Sequence, residues 1–158
     1  MMVSVSPLQC SYEETTLGKV ASYKETSFLE QEIIKVAKET GVPIDYLRGI
    51  IAWECGNDLS LKVKNSNGTV DYGPGLNSRW LKEFAWRFND GKKIDPHSYS
   101  SIKIVGRILA NNHKVLRDWD WTLTSYRWGV QGTIMHGVDH YYVDNVKRLG
   151  KQTTFGKE

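Results

Sequence analysis

Glu54 is the residue whose position in this sequence most directly suggests chemistry. It ends an amphipathic stretch that begins at Pro43, and one helical face of that stretch holds Leu47, Ile50, Ile51 and Glu54. Burial and the C-terminal end of a helix dipole both raise a carboxyl pKa. A carboxylic acid that keeps its proton near neutral pH is suited to protonate the leaving oxygen of a glycosidic bond. The alternative is a glutamate that only caps the helix or lies at the edge of the core.

The elements that must position Glu54 are predicted to be helices joined by turns. One helix begins at Thr26 or Ser27 and ends at Thr40, and the Glu54 helix begins at Pro43 and stops at Gly56. The remaining periodic segments predict helices over residues 77–88, 96–115, 118–126 and 132–149.

Asn67-Gly68 is the strongest turn motif in the chain, and it lies within the weakly alternating stretch from Leu61 to Tyr72. Such a pair predicts a two-residue β-hairpin turn. We therefore predict one mostly α domain over residues 26–150 with a small β-hairpin. An irregular segment over residues 1–25 precedes it, and a tail over residues 151–158 follows it.

Composition indicates one globular domain without selecting its activity. The 158 residues are 25% charged and 40% hydrophobic, which excludes a disordered chain. The net charge of +3 is spread without a Lys/Arg cluster, which argues against a nucleic-acid partner. Six Trp and eight Tyr supply rings for a core or for stacking on sugars.

Targeting and redox features are sparse. Cys10 and Cys55 are the two cysteines, and we expect no disulfide between them, so the compartment stays open. Residues 1–10 lack the basic and apolar regions of a signal peptide, and no apolar run approaches the ~18 residues of a membrane span. We expect a monomer that holds no cofactor.

Five motifs occur in the same order as those of a known protein family. They are Glu54-Cys-Gly-Asn-Asp58, Asn65-Ser-Asn-Gly-Thr-Val-Asp-Tyr-Gly73, Gly75-Leu-Asn-Ser-Arg-Trp80, Ser125-Tyr-Arg-Trp-Gly129 and Tyr141-Tyr-Val-Asp-Asn-Val146. Over residues 28–149 the set resembles the soluble-type lytic transglycosylases, which share the goose-type lysozyme fold. It is particularly similar to the small branch that accompanies secretion systems, pili and phage particles.

This resemblance implies a lysozyme-like helical domain whose partner is the peptidoglycan glycan strand, with a phage particle or secretion apparatus as a further partner. Such enzymes break the β-1,4 bond between N-acetylmuramic acid and N-acetylglucosamine. One glutamate protonates the leaving oxygen and then acts as base on the sugar's own 6-hydroxyl. The product ends in 1,6-anhydromuramic acid, so a second catalytic carboxylate is not required, unlike in ordinary glycosidases.

Carried over residue by residue, the resemblance makes Glu54 the acid/base. Tyr126 matches the active-site tyrosine, which contacts the acid or the substrate, and Tyr142 matches a tyrosine that helps close the cleft. Gly75 and Asn77 lie in the segment that follows the hairpin and are expected to contact the glycan. Core packing is the alternative for both tyrosines.

Three departures from the family pattern fall around the same cleft. Cys55 replaces a serine and is a weaker hydrogen-bond partner, so we expect Cys55→Ser to raise turnover. The glutamine that lines the family's cleft is absent beside Gly75, and Arg127 replaces an asparagine. Cys55 and Arg127 are still expected to contact the substrate. The alternative function is a weak or inactive lysozyme-like subunit that binds the wall or serves as a structural component.

Two other constellations compete with this interpretation. His136 and His140 at i and i+4 resemble an inverted zinc motif, but Asp139 is short for the base and no third ligand is evident, so we expect no metal. Asp71 would favour hydrolysis if it were a second catalytic carboxylate. We instead expect it to brace the hairpin beside Gly73 by accepting backbone N–H bonds.

Overall fold

The computed structural model describes the backbone of residues 16–152 and the side chains of residues 28–152. This part of the chain is mostly helical, as the sequence predicted, and it contains a small three-stranded antiparallel sheet. In chain order the elements are α1 (Thr16–Thr40), α2 (Ile44–Cys55), β1 (Lys62–Lys64), β2 (Val70–Tyr72), β3 (Leu76–Asn77), α3 (Leu81–Phe88), α4 (Ser100–Leu116), α5 (Trp119–His136) and α6 (His140–Lys151). Among these helices, none combines the length and apolar character needed to cross a bilayer.

The first helix begins at Thr16 rather than at Thr26 or Ser27. The prediction of an irregular segment is therefore wrong for residues 16–25, while residues 1–15, including Cys10, lie outside the described residues. That prediction relied on the lack of an apolar period. Residues 16–25 contain no proline and include Lys, Ala and Glu, whose helix propensity needs no such period. The predicted tail lies outside the described residues from residue 153 onward.

The core is built around α2, whose apolar face is fully buried as predicted. This helix packs between α1, α4 and α6. Their shared cluster includes Leu29, Ile33, Val36, Leu47, Ile50, Ile51, Ile102, Val105, Leu109, Val143 and Val146. A second cluster around Leu76, Phe88 and Ile104 holds α3 and the sheet against α4. The two clusters fix the acid-bearing helix relative to the sheet.

Backbone approach between α2 and α6 is unusually close. A Cβ atom on Gly49 would overlap the carbonyl oxygen of Val146, and a Cβ atom on Gly150 would overlap that of Asp45. Only glycine fits at either position, because each neighbouring group is backbone and cannot move aside. The two helices are therefore in direct main-chain contact at two points.

Arg48 joins the same two helices, and also α1, through charged hydrogen bonds and an ion pair. Its guanidinium donates to Gly150 O and Asp45 Oδ1, each at 3.0 Å, and forms an ion pair with Glu30. One side chain thereby joins α1, α2 and the C-terminal end of α6. Bonds of this kind to charged groups contribute more than neutral ones.

The sheet has the order β1-β2-β3, and the predicted hairpin is confirmed. Its connection is longer than the two-residue turn that was predicted, because Lys64 and Val70 form the last pair and Asn65 N–H then donates to Thr69 O at 2.8 Å. The third strand was not predicted. Asn77 pairs with Asp71 in β3 instead of starting a helix, and α3 begins only at Leu81.

The last two helices also differ from the prediction. A single helix over residues 132–149 is wrong, because Gly137 (φ 81°, ψ −168°) interrupts the chain. Asp139 then caps α6 by accepting a hydrogen bond of 3.1 Å from Tyr142 N. Asp118 caps α5 as predicted, but α5 continues past residue 126 through a kink at Gly129. The periodicity of 132–149 belongs to two segments that meet at a turn.

Candidate functional site

A cleft of about 1150 Å³ runs along the face that contains Glu54. It is lined by the C-terminal end of α2, by the sheet, and by parts of α3, α4 and α5. From α4, the spacing of Ile108, Asn111, Asn112 and Val115 is that of one helical face. The cleft is therefore a product of tertiary packing, with walls from segments distant in sequence.

Glu54 lies in the cleft wall one residue before the end of α2, where Gly56 (φ 60°) stops the helix. Burial raises the pKa of Glu54 from 4.5 to about 7, against the lowering effects of the Tyr142 hydrogen bond and of the Arg127 charge; the Asp71 charge raises it further. The raised pKa expected from the sequence is confirmed, with burial as its main cause. Near neutral pH this carboxyl exchanges readily between its acid and base forms.

Tyr142 lies behind Glu54 and is fully buried. Its hydroxyl donates a hydrogen bond of 2.8 Å to Glu54 Oε2, and burial raises the pKa of Tyr142 well above 10, so the phenol stays a donor. The edge of the Trp53 ring packs against it. Tyr142 therefore belongs to the core and contacts the acid. Core packing, the alternative left open by the sequence, describes its position, and Tyr142 is not among the residues that line the cleft.

Tyr126 lines the cleft from α5. Its hydroxyl donates to Pro74 O at 2.9 Å, and burial raises the pKa of Tyr126 well above 10. The hydroxyl is thus bonded to the loop that precedes β3 rather than to Glu54. Tyr126 fixes that loop and presents the rest of its side chain to the cleft.

Gly75 lies against the acid. It has φ 99°, and a Cβ atom there would lie 2.9 Å from Glu54 Oε1. Any larger residue would be strained and would press on the carboxyl oxygen. Gly73 (φ 52°) is also required, because its Cβ would overlap Pro96 O. Gly75 leaves space beside Glu54, and Gly73 lets the loop reach that position.

Asp71 lines the cleft, and its carboxylate is held inside the sheet. Its two oxygens accept hydrogen bonds from Asn77 Nδ2 at 2.7 Å and Asn65 Nδ2 at 3.1 Å. The predicted bracing role is supported, but the predicted donors were wrong. Side-chain amides supply the bonds, because the backbone groups of β2 already pair across the sheet. The Asn77 amide that was expected to face the glycan is largely used by Asp71 and by Thr69.

Arg127 is exposed at the cleft and lies beside the hydrogen-bonded Glu54 and Tyr142. Its guanidinium carbon is 5.4 Å from the centroid of the Tyr142 ring, and its Nε is 3.9 Å from Asp139 Oδ2. The positive charge is close enough to lower the pKa of Glu54. Arg127 therefore stabilises the carboxylate form of the acid while remaining accessible to a ligand.

Cys55 does not reach the cleft, so the prediction that it contacts substrate is wrong. The residue is buried, and its thiol donates to Ile51 O at 3.3 Å within the core. Burial raises the pKa of the Cys55 thiol to about 12. The physical reason is helical geometry: the residue after Glu54 is rotated by about 100° around the axis and faces inward.

A row of side chains from α3 and the turn just before it lines the cleft and was missed in the sequence. Trp80, Phe84 and Arg87 are at i, i+4 and i+7, and Arg79 precedes them. Trp128 adds an exposed ring from α5. The regular spacing of these residues could be seen in the sequence. Nothing in the sequence indicated that they line a cleft rather than face open solvent.

His136 and His140 do not share a helix face, contrary to the sequence interpretation. His136 ends α5 and His140 begins α6, with a non-helical turn between them. Within residues 28–152, no three His, Cys, Asp or Glu side chains are grouped so that they could hold a metal ion.

The chain matches no protein-family model, no curated protein and no solved structure.

Proposed function

We propose that this protein is a lytic transglycosylase with a lysozyme-like fold, which cleaves the β-1,4 bond between N-acetylmuramic acid and N-acetylglucosamine in peptidoglycan. The observation that carries the proposal is Glu54, a carboxyl with a pKa of about 7 in the wall of a large cleft. General acid–base catalysis is most effective when the pKa of the group lies near the working pH.

The two oxygens of Glu54 have different surroundings, which suits a proton donor. Oε2 accepts a hydrogen bond from the Tyr142 hydroxyl, whereas Oε1 lies beside Gly75, which has no side chain. The acid proton is therefore carried on Oε1 and passes to the glycosidic oxygen as its bond to C1 breaks. Tyr142 and Arg127 both favour the carboxylate that remains.

The same carboxylate then completes the reaction. It accepts the proton of the muramic 6-hydroxyl while that oxygen bonds to C1, which yields the 1,6-anhydro end and restores the acid. No water is consumed. Asp71 supports this route over hydrolysis, because each of its oxygens accepts a hydrogen bond from an asparagine amide, which assigns the carboxylate a bracing role in the sheet.

The lysozyme-like assignment is supported by how the cleft is assembled. The acid lies at the C-terminal end of a buried helix, and a small antiparallel sheet follows it directly in the chain. The loop between β2 and β3 carries Gly75 to the acid, and α3 to α5 complete the walls. This order matches the order of the five motifs.

Mass analysis of the products from purified sacculi tests the proposal. We expect muropeptides lighter by one water than hydrolysed ones, without reducing ends. Glu54→Gln removes the transferable proton and should lower turnover by at least ~10²-fold. Glu39→Gln is the matched control, because Glu39 is exposed on α1 away from the cleft, and it should cleave normally.

Other outcomes would select a different function. Reducing ends combined with an essential Asp71, tested as Asp71→Asn, would establish a two-carboxylate hydrolase. Sacculi that are bound but not cleaved by the wild type would favour the wall-binding subunit. That second candidate is supported by the exposed rings and guanidinium groups of the cleft, which can bind a glycan without the acid.

A further inference from the structure

The charges that line the cleft are not equally available to a ligand. Glu54 is partly neutral near pH 7, and the Asp71 carboxylate is held by two amides. Arg127 has Asp139 beside it at 3.9 Å. No carboxylate among the side chains of residues 28–152 forms a salt bridge with Arg79 or Arg87. Two exposed positive charges in the cleft therefore remain without an internal counter-charge.

Both of these guanidinium groups are held against aromatic rings. The Arg79 guanidinium carbon lies 5.5 Å from the Trp80 ring centroid, and that of Arg87 lies 4.9 Å from the centroid of Phe88. Cation–π contact restricts a long side chain without neutralising its charge. The two cations are thus kept at the cleft with their hydrogen-bond donors free for an anion.

Between the two cations, the same wall presents aromatic surface. Trp80 and Phe84 lie one helical turn apart and both line the cleft, with half of Trp80 exposed. Flat rings can stack on the apolar faces of sugars, whereas guanidinium groups bind carboxylates by paired hydrogen bonds. A wall that combines the two fits a glycan that carries carboxylates at intervals.

We propose that Arg79 and Arg87 form a carboxylate-binding subsite, which makes the cleft selective for acidic, substituted glycan strands over uncharged ones. This rests on the proposed function for the identity of the strand. In peptidoglycan the carboxylates belong to the stem peptides or, where these are removed, to the lactyl groups. A continuous phosphate backbone fits less well, because it would place a negative charge at every unit along the cleft, including beside Glu54 and Asp71, whereas a glycan carries carboxylates only at intervals.

The experiment measures binding rather than cleavage. The Glu54→Gln protein, which should not turn over its ligand, is titrated by calorimetry with three soluble glycans. These are strands that carry stem peptides, the same strands after an amidase has left only lactyl carboxylates, and an uncharged N-acetylglucosamine oligomer. Arg79→Gln and Arg87→Gln are introduced singly. Lys82→Gln is the matched control, because Lys82 is an exposed cation on α3 that does not line the cleft.

Each arginine substitution should weaken binding of the peptide-bearing strands by about three- to tenfold, and the loss should shrink at high salt. Binding of the uncharged oligomer should change as little as it does in Lys82→Gln. A loss confined to peptide-bearing strands assigns the subsite to stem-peptide carboxylates. A loss shared with the stripped strands assigns it to the lactyl group.

Equal losses for charged and uncharged glycans would overturn the inference, and so would losses no larger than that of Lys82→Gln. Tighter binding of a single-stranded DNA oligonucleotide than of any glycan would also overturn it.

Failure of the proposed function can be distinguished from failure of this inference. If wild-type protein leaves sacculi intact while the arginine dependence is present, the enzyme assignment falls and the subsite stands. If sacculi are cleaved but the arginine variants bind normally, the reverse holds.

Discussion

Tyr142 and Glu54 lie 88 positions apart in the chain and are joined by a hydrogen bond of 2.8 Å. The tyrosine comes from the first turn of α6, whose start is set by the Asp139 cap, and the glutamate comes from the last turn of α2. A turn between α5 and α6 thereby determines which group faces the back of the acid. The environment of Glu54 depends on the packing of these two helices.

Tyr142→Phe removes the hydrogen bond to Glu54 but keeps the packing of the ring, so it isolates the effect of the bond. The bond lowers the pKa of Glu54, so its loss should raise that pKa further. The first step of the proposed reaction needs protonated Glu54, so activity should fall as pH rises through this pKa, and in the variant the fall should move to higher pH. Turnover at the optimum should drop by about two- to tenfold.

A pH–rate profile on soluble glycan strands measures both effects. Tyr141→Phe is the control, because Tyr141 is the neighbouring exposed tyrosine on α6 and makes no bond to Glu54. A profile in Tyr142→Phe that coincides with that of the wild type would contradict the role given to this bond.

The stability of the fold should depend on pH through Glu54. Its pKa is about 7 in the folded protein and about 4.5 when unfolded, so the folded state holds this proton more tightly. The resulting stabilisation is complete below pH 4.5 and is lost as pH rises through 7. Between pH 5 and pH 8, wild type should lose about 2 kcal/mol relative to Glu54→Gln, which cannot titrate.

Urea unfolding of both proteins at the two pH values measures this difference. All other titrating groups are shared, so they cancel in the comparison. A stability difference between the two proteins that is the same at pH 5 and pH 8 would mean that the pKa of Glu54 is not raised by folding.

Gly75→Ala should impair the acid directly. The added Cβ would lie 2.9 Å from Glu54 Oε1 at a φ of 99°, so the carboxyl must shift or the loop must deform. We expect turnover to fall by at least about tenfold and the free energy of unfolding by about 1–2 kcal/mol. Gly41→Ala is the control, because Gly41 has φ 79° but nothing within 4 Å of its Cβ position.

The control should show a similar loss of stability in thermal unfolding and normal turnover. Equal activity in the two alanine variants would show that the space beside Glu54 is not needed.

Cys55→Ser should not raise turnover, contrary to the expectation from sequence. The thiol bonds to Ile51 O inside the core and never contacts the cleft, so a hydroxyl there has no ligand to reach. Burial of the more polar serine should lower the free energy of unfolding by about 1 kcal/mol. Turnover and denaturant unfolding of Cys55→Ser and Cys55→Ala test this, and faster cleavage by the serine variant alone would restore the original expectation.

The sequence was sufficient to place the Glu54 carboxyl on the packed face of α2. The apolar spacing of α2 put Glu54 on the same face as Leu47 and Ile51, and Asn67-Gly68 located the hairpin. These features depend on local periodicity and turn chemistry, which are read from neighbouring residues. The raised pKa of Glu54 followed from its helix face.

The features that the sequence did not predict depend on contacts between distant segments. Asn77 looked like a helix cap, but pairing with Asp71 draws it into β3. The resemblance implied that Tyr142 helps close the cleft, with core packing as the alternative, and only the packed structure shows that the ring is fully buried behind Glu54. Tertiary packing overrode the local preference at each of these positions.

The close main-chain contacts between α2 and α6 have a mechanical consequence. The acid and its tyrosine lie on two helices that cannot slide or separate without breaking the Gly49 and Gly150 contacts and the Arg48 ties. The cleft wall that carries Glu54 is therefore rigid. Any adjustment to ligands of different width must come from the other walls, which α3, α4, α5 and the sheet supply. Substitutions of cleft-lining residues on α3, such as Phe84 and Arg87, should therefore change which ligands bind while leaving the pKa of Glu54 unchanged. Asp71 and Gly75, on the sheet side, affect Glu54 directly.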